Sequence, residues 1–388
     1  MVSIILFSVC LTSAVIWLFF LCSPVRWRMS EQWDPAQHHH ITLPEWPSLS
    51  VIIPARNERK SLPLTLPSWL KQDYPESEII LVDDESDDGT AEYAKRITAQ
   101  SGKTVHIIKG TKPPPGWTGK LWALEQGVRA SSGEWLLFTD ADILHCPDLW
   151  RGLVAKALAE QRAMVSLMAH LDTKGTWASL LIPAFVYFFY TMYPFEKVNN
   201  IRSRISAAAG GCILLSRHAL EKIGGIAGHR DAWIDDIALA KRMKRAGFPV
   251  SLSLSRSAVS IRSYGQLQDV WKMVARTAFT QLRCSWFYLT GTITGLLVLF
   301  LAPLIGISAF FINTSLSFTA ILSFGTIIIM TVTYIPAIRF FRLNTFQAFT
   351  LPFAGILYTA MTISSAIDHL AGRRTWRGVR TETRKSEI

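Results

Sequence analysis

The chain has 388 residues, with 40 Lys and Arg against 29 Asp and Glu, a formal net charge of +11, and only 18% charged residues against 49% apolar. No charge falls in Met1–Val25, Phe287–Ile338 or Leu343–Ile367, 102 residues in all, which excludes a wholly soluble protein. About 260 residues of ordinary globular character separate the first two stretches, enough for one sizeable domain, and that excludes a polytopic transporter.

Ser3–Cys22 is a 20-residue apolar run, long enough to cross a bilayer. It lacks a basic leader and a following small-residue cleavage site, so it reads as an uncleaved anchor. Arg26 and Arg28 follow it, and the positive-inside rule places the next segment in the cytoplasm. His38-His39-His40 has no evident ligand partners in the sequence and reads as a solvated linker. The five cysteines form no CxxC pair, which argues for free thiols in a reducing compartment over a metal or disulfide framework.

Next, short β-branched runs alternate with helical patterns. Leu49–Pro54, Glu78–Asp83, Thr104–Ile108 and Glu134–Asp140 predict strands; Ser61–Gln72, Thr90–Gln100, Lys120–Ala130 and Asp148–Glu160 predict the helices between them. This alternation implies an α/β fold with a mostly parallel sheet covered on both faces. Ligands of such sheets sit beyond the carboxyl ends of the strands. Polar clusters lie there: Arg56-Asn57-Glu58, Asp83-Asp84-Glu85 and Asp140-Ala141-Asp142. No GxGxxG, P-loop or GxSxG motif accompanies them.

Asp140 and Asp142 present hard oxygen ligands two residues apart, a donor set that suits Mg²⁺ or Mn²⁺ completed by water and substrate phosphates; a turn or helix cap is the alternative. Asp87 and Asp88 lead into Gly89-Thr90 and read as a helix start. Asp83 and Asp84 precede that start, and Asp84 is placed to accept from a base or ribose. Asp235 and Asp236 open a helical pattern with Leu239 and Met243 on its core side. They read either as caps or as a carboxylate pair facing the crevice, one a general base toward a hydroxyl.

Leu180–Tyr190 is too short to span, is interrupted by Pro183, and reads as core packing or as an aromatic entry for a lipid. From Gly265 to Trp286 a single amphipathic helix is expected, with Lys272, Arg276 and Arg283 on one stripe and Val270, Trp271 and Val274 opposite, lying in the membrane interface. The 52-residue uncharged stretch divides at Asn313–Ser317 into two spans, about 287–312 and 318–338. A last apolar segment, 346–367, conflicts with the charge rule if it crosses, because the tail bearing Arg373, Arg374, Arg377, Arg380, Arg384 and Lys385 would then lie outside; it is a span or an interfacial or re-entrant segment. The basic tail beside apolar spans points to anionic lipid and not to nucleic acid. The expected boundaries are an anchor at 1–25, a linker at 26–48, an α/β domain at 49–264, an interfacial helix at 265–286, a membrane region of two to three spans at 287–370 and a basic tail at 371–388.

Four motifs stand in order: SVIIPARNE (50–58), VDDESDDGT (82–90), FTDAD (138–142) and IDD…L…K-R (234–242). Together they resemble family 2 glycosyltransferases of the Rossmann-like GT-A fold. PPPGWTGKLWALEQG (113–127) and the terminal spans look most like the hopanoid-biosynthesis-associated members. The resemblance implies an inverting hexosyl transfer from a nucleotide-sugar donor, with Mg²⁺ or Mn²⁺, to a lipid acceptor at the cytoplasmic face of a bacterial plasma membrane. By position it implies that Pro54, Asn57, Glu58, Asp84, Lys120 and Asp140 bind the donor, that Asp140 and Asp142 hold the metal, and that Asp236 is the base, with Asp235 in place of the usual Glu. The family's QxxRW motif falls on TQLRC (280–284): Arg283 is kept, and the changed flanks speak against a processive polysaccharide synthase. Asp235, Arg276 and Arg283 would serve the acceptor or the diphosphate, with lipid head groups the alternative for Arg283. A polyprenyl-phosphate acceptor, or an inactive nucleotide-binding membrane scaffold, are the rival readings.

Overall fold

The structure is a computed structural model and describes residues 1–38, 41, 43–99, 101, 103, 105–372, 375–376 and 379–380. His39 and His40 of the linker, and Arg373, Arg374, Arg377, Arg384 and Lys385 of the basic tail, lie outside the described residues. The chain divides into two compact units: Ser30–Asp172 with Tyr193–Arg262, and Met1–Met29 with Thr173–Met192 and Ser263–Ile388.

The first unit is an α/β sandwich. Its sheet comprises β1 (Leu49–Ala55), β2 (Ser77–Asp83), β3 (Val105–Lys109), β4 (Trp135–Thr139), β5 (Ile143–His145), β6 (Met164–His170), β7 (Cys212–Ser216) and β8 (Val250–Ser260), in the order β3-β2-β1-β4-β7-β6-β8-β5. β1 pairs in parallel with β2 and β4, β2 with β3, and β6 with β8, whereas β7 runs antiparallel to both β4 and β6, and β5 to β8. The sheet is therefore mixed and mostly parallel. Helices Leu62–Leu70, Thr90–Thr98, Gly119–Arg129 and Leu149–Ala159 fill the connections, each within two residues of its expected bounds.

Strands covered on both faces must be apolar throughout, and Val51, Ile52, Ile53, Leu81, Leu137, Val165 and Leu214 are fully buried. Gly127 marks where the helix Gly119–Arg129 meets β1: a Cβ there would lie 2.4 Å from Ile52 Cγ2. Trp69 and Trp150 close the other side of the sheet. The Trp69 indole N–H donates to the Ile143 carbonyl at 3.1 Å, and that of Trp150 donates to His145 Nδ1 at 2.9 Å. An acceptor at Nδ1 fixes a neutral His145 with its proton on Nε2, which faces the Thr139 hydroxyl at 3.0 Å. Burial pulls the His145 pKa down to about 3, in keeping with that neutral tautomer.

The second unit is built from apolar helices. Val2–Leu21, Trp286–Ile312, Thr314–Phe340 and Thr345–Leu370 are each long and apolar enough to cross a membrane. At the hairpin between the second and third, Asn313 Oδ1 accepts from the Ser315 N–H at 3.0 Å and its hydroxyl at 2.8 Å, a turn that Asn favours through its short acceptor side chain. Within the second helix a π-turn at Leu297–Leu301 precedes Pro303. Pro303 has no N–H to offer the carbonyl of Leu299 four residues back. The first helix supplies donors to that carbonyl, Trp17 Nε1 at 3.2 Å and Ser13 Oγ at 3.4 Å, and its Cys10 Sγ also bonds to Ala302 O at 3.4 Å. Their spacing puts all three on one helical face.

Two expectations are corrected here. The segment around Pro183 is not broken: one helix runs Thr176–Met192 and packs among the apolar helices, with the Tyr187 hydroxyl donating to Thr333 Oγ1 at 3.0 Å and the Tyr358 hydroxyl to the Leu181 carbonyl at 2.9 Å. Pro183 removes one backbone bond, and neighbouring helices hold the rest. The single interfacial helix at 265–286 is absent. The chain forms Leu267–Ala275 and Ala278–Gln281, then turns through positive φ at Arg283 (55°) and Cys284 (53°). The Cys284 N–H closes that turn on the Phe279 carbonyl at 3.0 Å, a left-handed helix termination. Lys272, Arg276 and Arg283 consequently do not share one stripe.

Candidate active site

The acidic motifs stand at three strand ends and one helix start. At the end of β1 the left-handed turn at Asn57 (φ 55°) turns the chain toward β2. There Asn57 Oδ1 accepts from the Asp87 N–H at 3.0 Å, its own N–H donates to Ser86 Oγ at 2.9 Å, and the Glu58 N–H donates to Thr90 Oγ1 at 2.9 Å. Glu58 is buried and accepts from the Ser61 hydroxyl at 2.6 Å. Asn57 and Glu58 thus tie the ends of β1 and β2 to each other. Asp88 orders the turn just ahead of the helix Thr90–Thr98, accepting from the Thr90 N–H at 3.0 Å and the Arg59 N–H at 3.0 Å.

Asp84 differs. It is 1% exposed, its Oδ2 accepts from Arg56 Nη1 at 3.4 Å, and its Oδ1 is buried with no hydrogen-bond partner among the described residues. Burial pushes its pKa up against the opposing pull of Arg56. A buried carboxylate oxygen without a donor is costly, and a ligand N–H or O–H would remove that cost.

At the end of β4 the Asp140 N–H donates to the Gly211 carbonyl at 3.2 Å. The same carbonyl accepts from the Thr139 hydroxyl at 3.0 Å. Asp140 Oδ1 lies 2.8 Å from Lys120 Nζ, and the same ammonium lies 3.6 Å from Asp235 Oδ2. Lys120 is positioned by the first turn of its helix, where Thr118 Oγ1 accepts from the Leu121 N–H at 3.4 Å. Burial alone would lower the Lys120 pKa, but Asp140 and Asp235 hold it well above the ordinary lysine value.

Asp236 lies on the far wall, at the start of the helix Asp235–Arg245. Its Oδ1 accepts from the Ile237 N–H at 2.7 Å and its Oδ2 from the Gly210 N–H at 2.8 Å. A Cβ at Gly210 would come within 3.3 Å of Lys120 Nζ and 3.4 Å of Asp236 Oδ2, so a side chain there would press on both groups. Burial and the neighbouring Asp235 charge push the Asp236 pKa up to about 7, with Lys120 and the two N–H groups opposing.

These groups enclose a cavity of about 20 Å³ whose wall includes Pro54, Lys120, Asp140, Gly210, His229, Asp235 and Asp236, room for about one water or one hydroxyl. Asp142, half-buried two residues beyond Asp140, is outside this wall; its carbonyl accepts from the Ile261 N–H at 2.9 Å. Asn57, Glu58 and Asp84 are also outside it, and Arg276 and Arg283 belong to the other unit. Among the described residues no cluster of three His, Cys, Asp or Glu side chains forms a ready metal cage. Asp140 keeps one oxygen beyond its bond to Lys120, a hard donor of the kind a divalent cation takes together with water and phosphate.

Gly210 and His229 were not singled out from the sequence. The role of Gly210 is a backbone N–H, which side-chain motifs cannot reveal. For His229 the available signal was the turn GGIAGH just ahead of the acidic pair. Arg242, two turns into the Asp235–Arg245 helix, donates from Nη2 to the Ile223 carbonyl and fills the space a Cβ on Gly228 would need. The same helix thereby fixes Asp235, Asp236 and the turn that carries His229.

Residues 50–224 match the sequence model described as Glycosyl transferase family 2. A 4,4'-diaponeurosporenoate glycosyltransferase of Staphylococcus haemolyticus is 41% identical over 96 residues, covering 25% of this chain and 24% of the relative. A dolichyl-phosphate beta-glucosyltransferase of Saccharomyces cerevisiae is 27% identical over 265 residues, 60% of this chain and 75% of the relative. The matched segment thus spans about a quarter of the staphylococcal protein. Among solved structures, the mannosyltransferase PcManGT of Pyrobaculum calidifontis, in complex with GDP-Man and Mn²⁺, superposes with a TM-score of 0.53 at 18% identity, over 95% of this chain and 97% of that one. At that identity the likeness concerns the fold, which is GT-A with apolar helices at both ends of the chain.

Proposed function

We propose, because the chain carries a family 2 glycosyltransferase domain of the GT-A fold, that it moves a sugar from a nucleotide-sugar donor to a lipid acceptor with inversion at the anomeric carbon. The acceptor oxygen forms a bond to that carbon as the bond to the nucleoside diphosphate breaks, and the electron pair leaves with the diphosphate. The acceptor proton passes to the Asp236 carboxylate. The single observation that carries this reading is Asp236 itself: a carboxylate in the cavity wall, fixed by the Gly210 and Ile237 N–H groups, whose pKa burial and Asp235 push up toward the range that suits a general base.

Asp84 holds the base of the donor through its unpartnered oxygen, with Pro54, Asn57 and Glu58 shaping that end of the crevice. Lys120 faces the diphosphate. Asp140 and Asp142 are the residues that would hold Mg²⁺ or Mn²⁺, whose charge, when bound, offsets that of the departing diphosphate. Arg276 and Arg283 serve acceptor, diphosphate or lipid head groups. The apolar helices keep the enzyme at the bilayer, and Arg26, Arg28, Arg339 and Arg342 beside them favour a cytoplasmic domain. PPPGWTGKLWALEQG supports an acceptor of the hopanoid type. The likeness to a dolichyl-phosphate beta-glucosyltransferase over 265 residues supports a second reading, a polyprenyl-phosphate acceptor. An inactive scaffold is disfavoured because Asp84, Lys120, Asp140, Asp235 and Asp236 are all in place.

Asp236→Asn is the direct test. Loss of transfer by roughly 10²–10⁴-fold, with donor binding retained, is expected when membranes are incubated with labelled UDP- and GDP-sugars and the lipid is extracted. Wild-type turnover in that variant would remove the base assignment.

A further inference from the structure

His229 is 5% exposed, lines the cavity with Lys120, Asp140, Asp235 and Asp236, and has no hydrogen-bond partner at Nδ1 among the described residues. Buried polar atoms are normally satisfied, and the neighbouring space holds about one hydroxyl-sized group. Burial draws the His229 pKa down to about 4, with Arg242 adding to that effect and Asp235 and Asp231 opposing it. At neutral pH the ring is therefore uncharged, offering one donor and one acceptor nitrogen. Lys120 is the one cation among the described wall residues, and it is already engaged by Asp140 and Asp235. With the Lys120 ammonium and the Asp140 carboxylate given over to the donor side of the site, the rest of the polar wall is Asp235, Asp236 and a neutral imidazole, which offers no cation to a second phosphate and accommodates a neutral hydroxyl.

Building on the transferase reading above, we propose that His229 contacts the acceptor, its Nδ1 hydrogen-bonding the incoming group beside Asp236, and that this wall selects an uncharged hydroxyl over a phosphate. The ring and Asp236 would orient the same oxygen from two sides. The hydroxyl proton goes to Asp236, and His229 gains and loses none.

The test uses the full chain in lipid nanodiscs with a matched pair of probes, phytanol and phytanyl phosphate, and UDP-glucose, UDP-N-acetylglucosamine and GDP-mannose as donors. Glycosylation of phytanol in preference to its phosphate is expected. His229→Phe, which keeps the ring and removes the nitrogens, should raise the phytanol KM roughly tenfold or more and leave the donor KM unchanged. His229→Asn, whose amide reaches the place of Nδ1, should recover most of that loss. Preference for phytanyl phosphate, or a wild-type phytanol KM in His229→Phe, overturns the proposal while leaving the transferase reading standing. Absence of nucleoside diphosphate release from every donor removes the transferase reading itself. Should His229→Phe fail to fold, the alcohol-against-phosphate comparison still decides, since it needs no variant.

Discussion

Replacing Lys120 with Met isolates what the ammonium does for the base. A Cβ built on Gly210 would lie 3.3 Å from Lys120 Nζ and 3.4 Å from Asp236 Oδ2, so the two charges sit no more than about 7 Å apart. Unit charges at that separation interact by about 1–2.5 kcal/mol at an effective dielectric constant of roughly 20–40. The Lys120 side chain is 21% exposed, and solvent screening favours the lower end of this range. One kcal/mol is about 0.7 of a pKa unit, so removing the ammonium raises the Asp236 pKa by about one unit. Only the deprotonated form accepts a proton, so activity must rise with pH through that pKa. In the wild type, kcat/KM for nucleoside diphosphate release should climb through a limb near pH 7, the value to which Asp236 is pushed. In Lys120→Met the limb moves up by about one unit, and Lys120→Arg, which keeps the charge, brings it back. An unmoved limb in Lys120→Met, or an Arg variant that behaves like Met, would refute this electrostatic coupling.

Asp84→Asn should weaken UDP or GDP binding by roughly tenfold, measured by calorimetry, with little change in the pH limb. Gly127→Ala drives a Cβ to 2.4 Å from Ile52 Cγ2; overpacking of this kind costs about 1–3 kcal/mol, to be read as a lowered midpoint in the thermal unfolding of the full chain. Trp17→Phe deletes a donor to the Leu299 carbonyl and should cost about 0.5–1.5 kcal/mol in detergent stability. In a Pro303→Ala background, where residue 303 regains an N–H for that carbonyl, a double-mutant cycle should give a smaller loss.

Much of the α/β unit was legible because its physics is local. Alternating apolar runs and helical patterns placed β1 to β4 and their helices within two residues, acids at strand ends pointed to Asp84 and Asp140, and an acid pair opening a helix pointed to Asp236. Local patterns could not give the direction of β7: CILLS (212–216) is apolar throughout, and nothing in it says that it enters antiparallel between β4 and β6. That insertion puts Gly210 and Gly211 across from Asp236 and Asp140, which is why the backbone partners of both acids went unread. The same limit explains 265–286. The stripe of Lys272, Arg276 and Arg283 is formally periodic, but Arg283 and Cys284 adopt positive φ without the Gly or Asn that would have announced a turn. The fusion of acid pair and glycine turn through Arg242 was likewise invisible, since it joins residues whose relation exists only once the helix has formed.

Trp17 and Leu299 are 282 positions apart, and that distance sets an order of assembly. The first helix leaves the ribosome long before its acceptor is made. Until then, the indole and hydroxyl groups of Trp17 and Ser13 must find other partners, because hydrocarbon offers none. Between the two events the whole α/β unit is synthesised. The polar contacts of the first helix with Leu299 therefore form only after the α/β unit has been made. A chain ending before residue 299 would lack the carbonyl that Trp17 and Ser13 meet, leaving both donors without that partner.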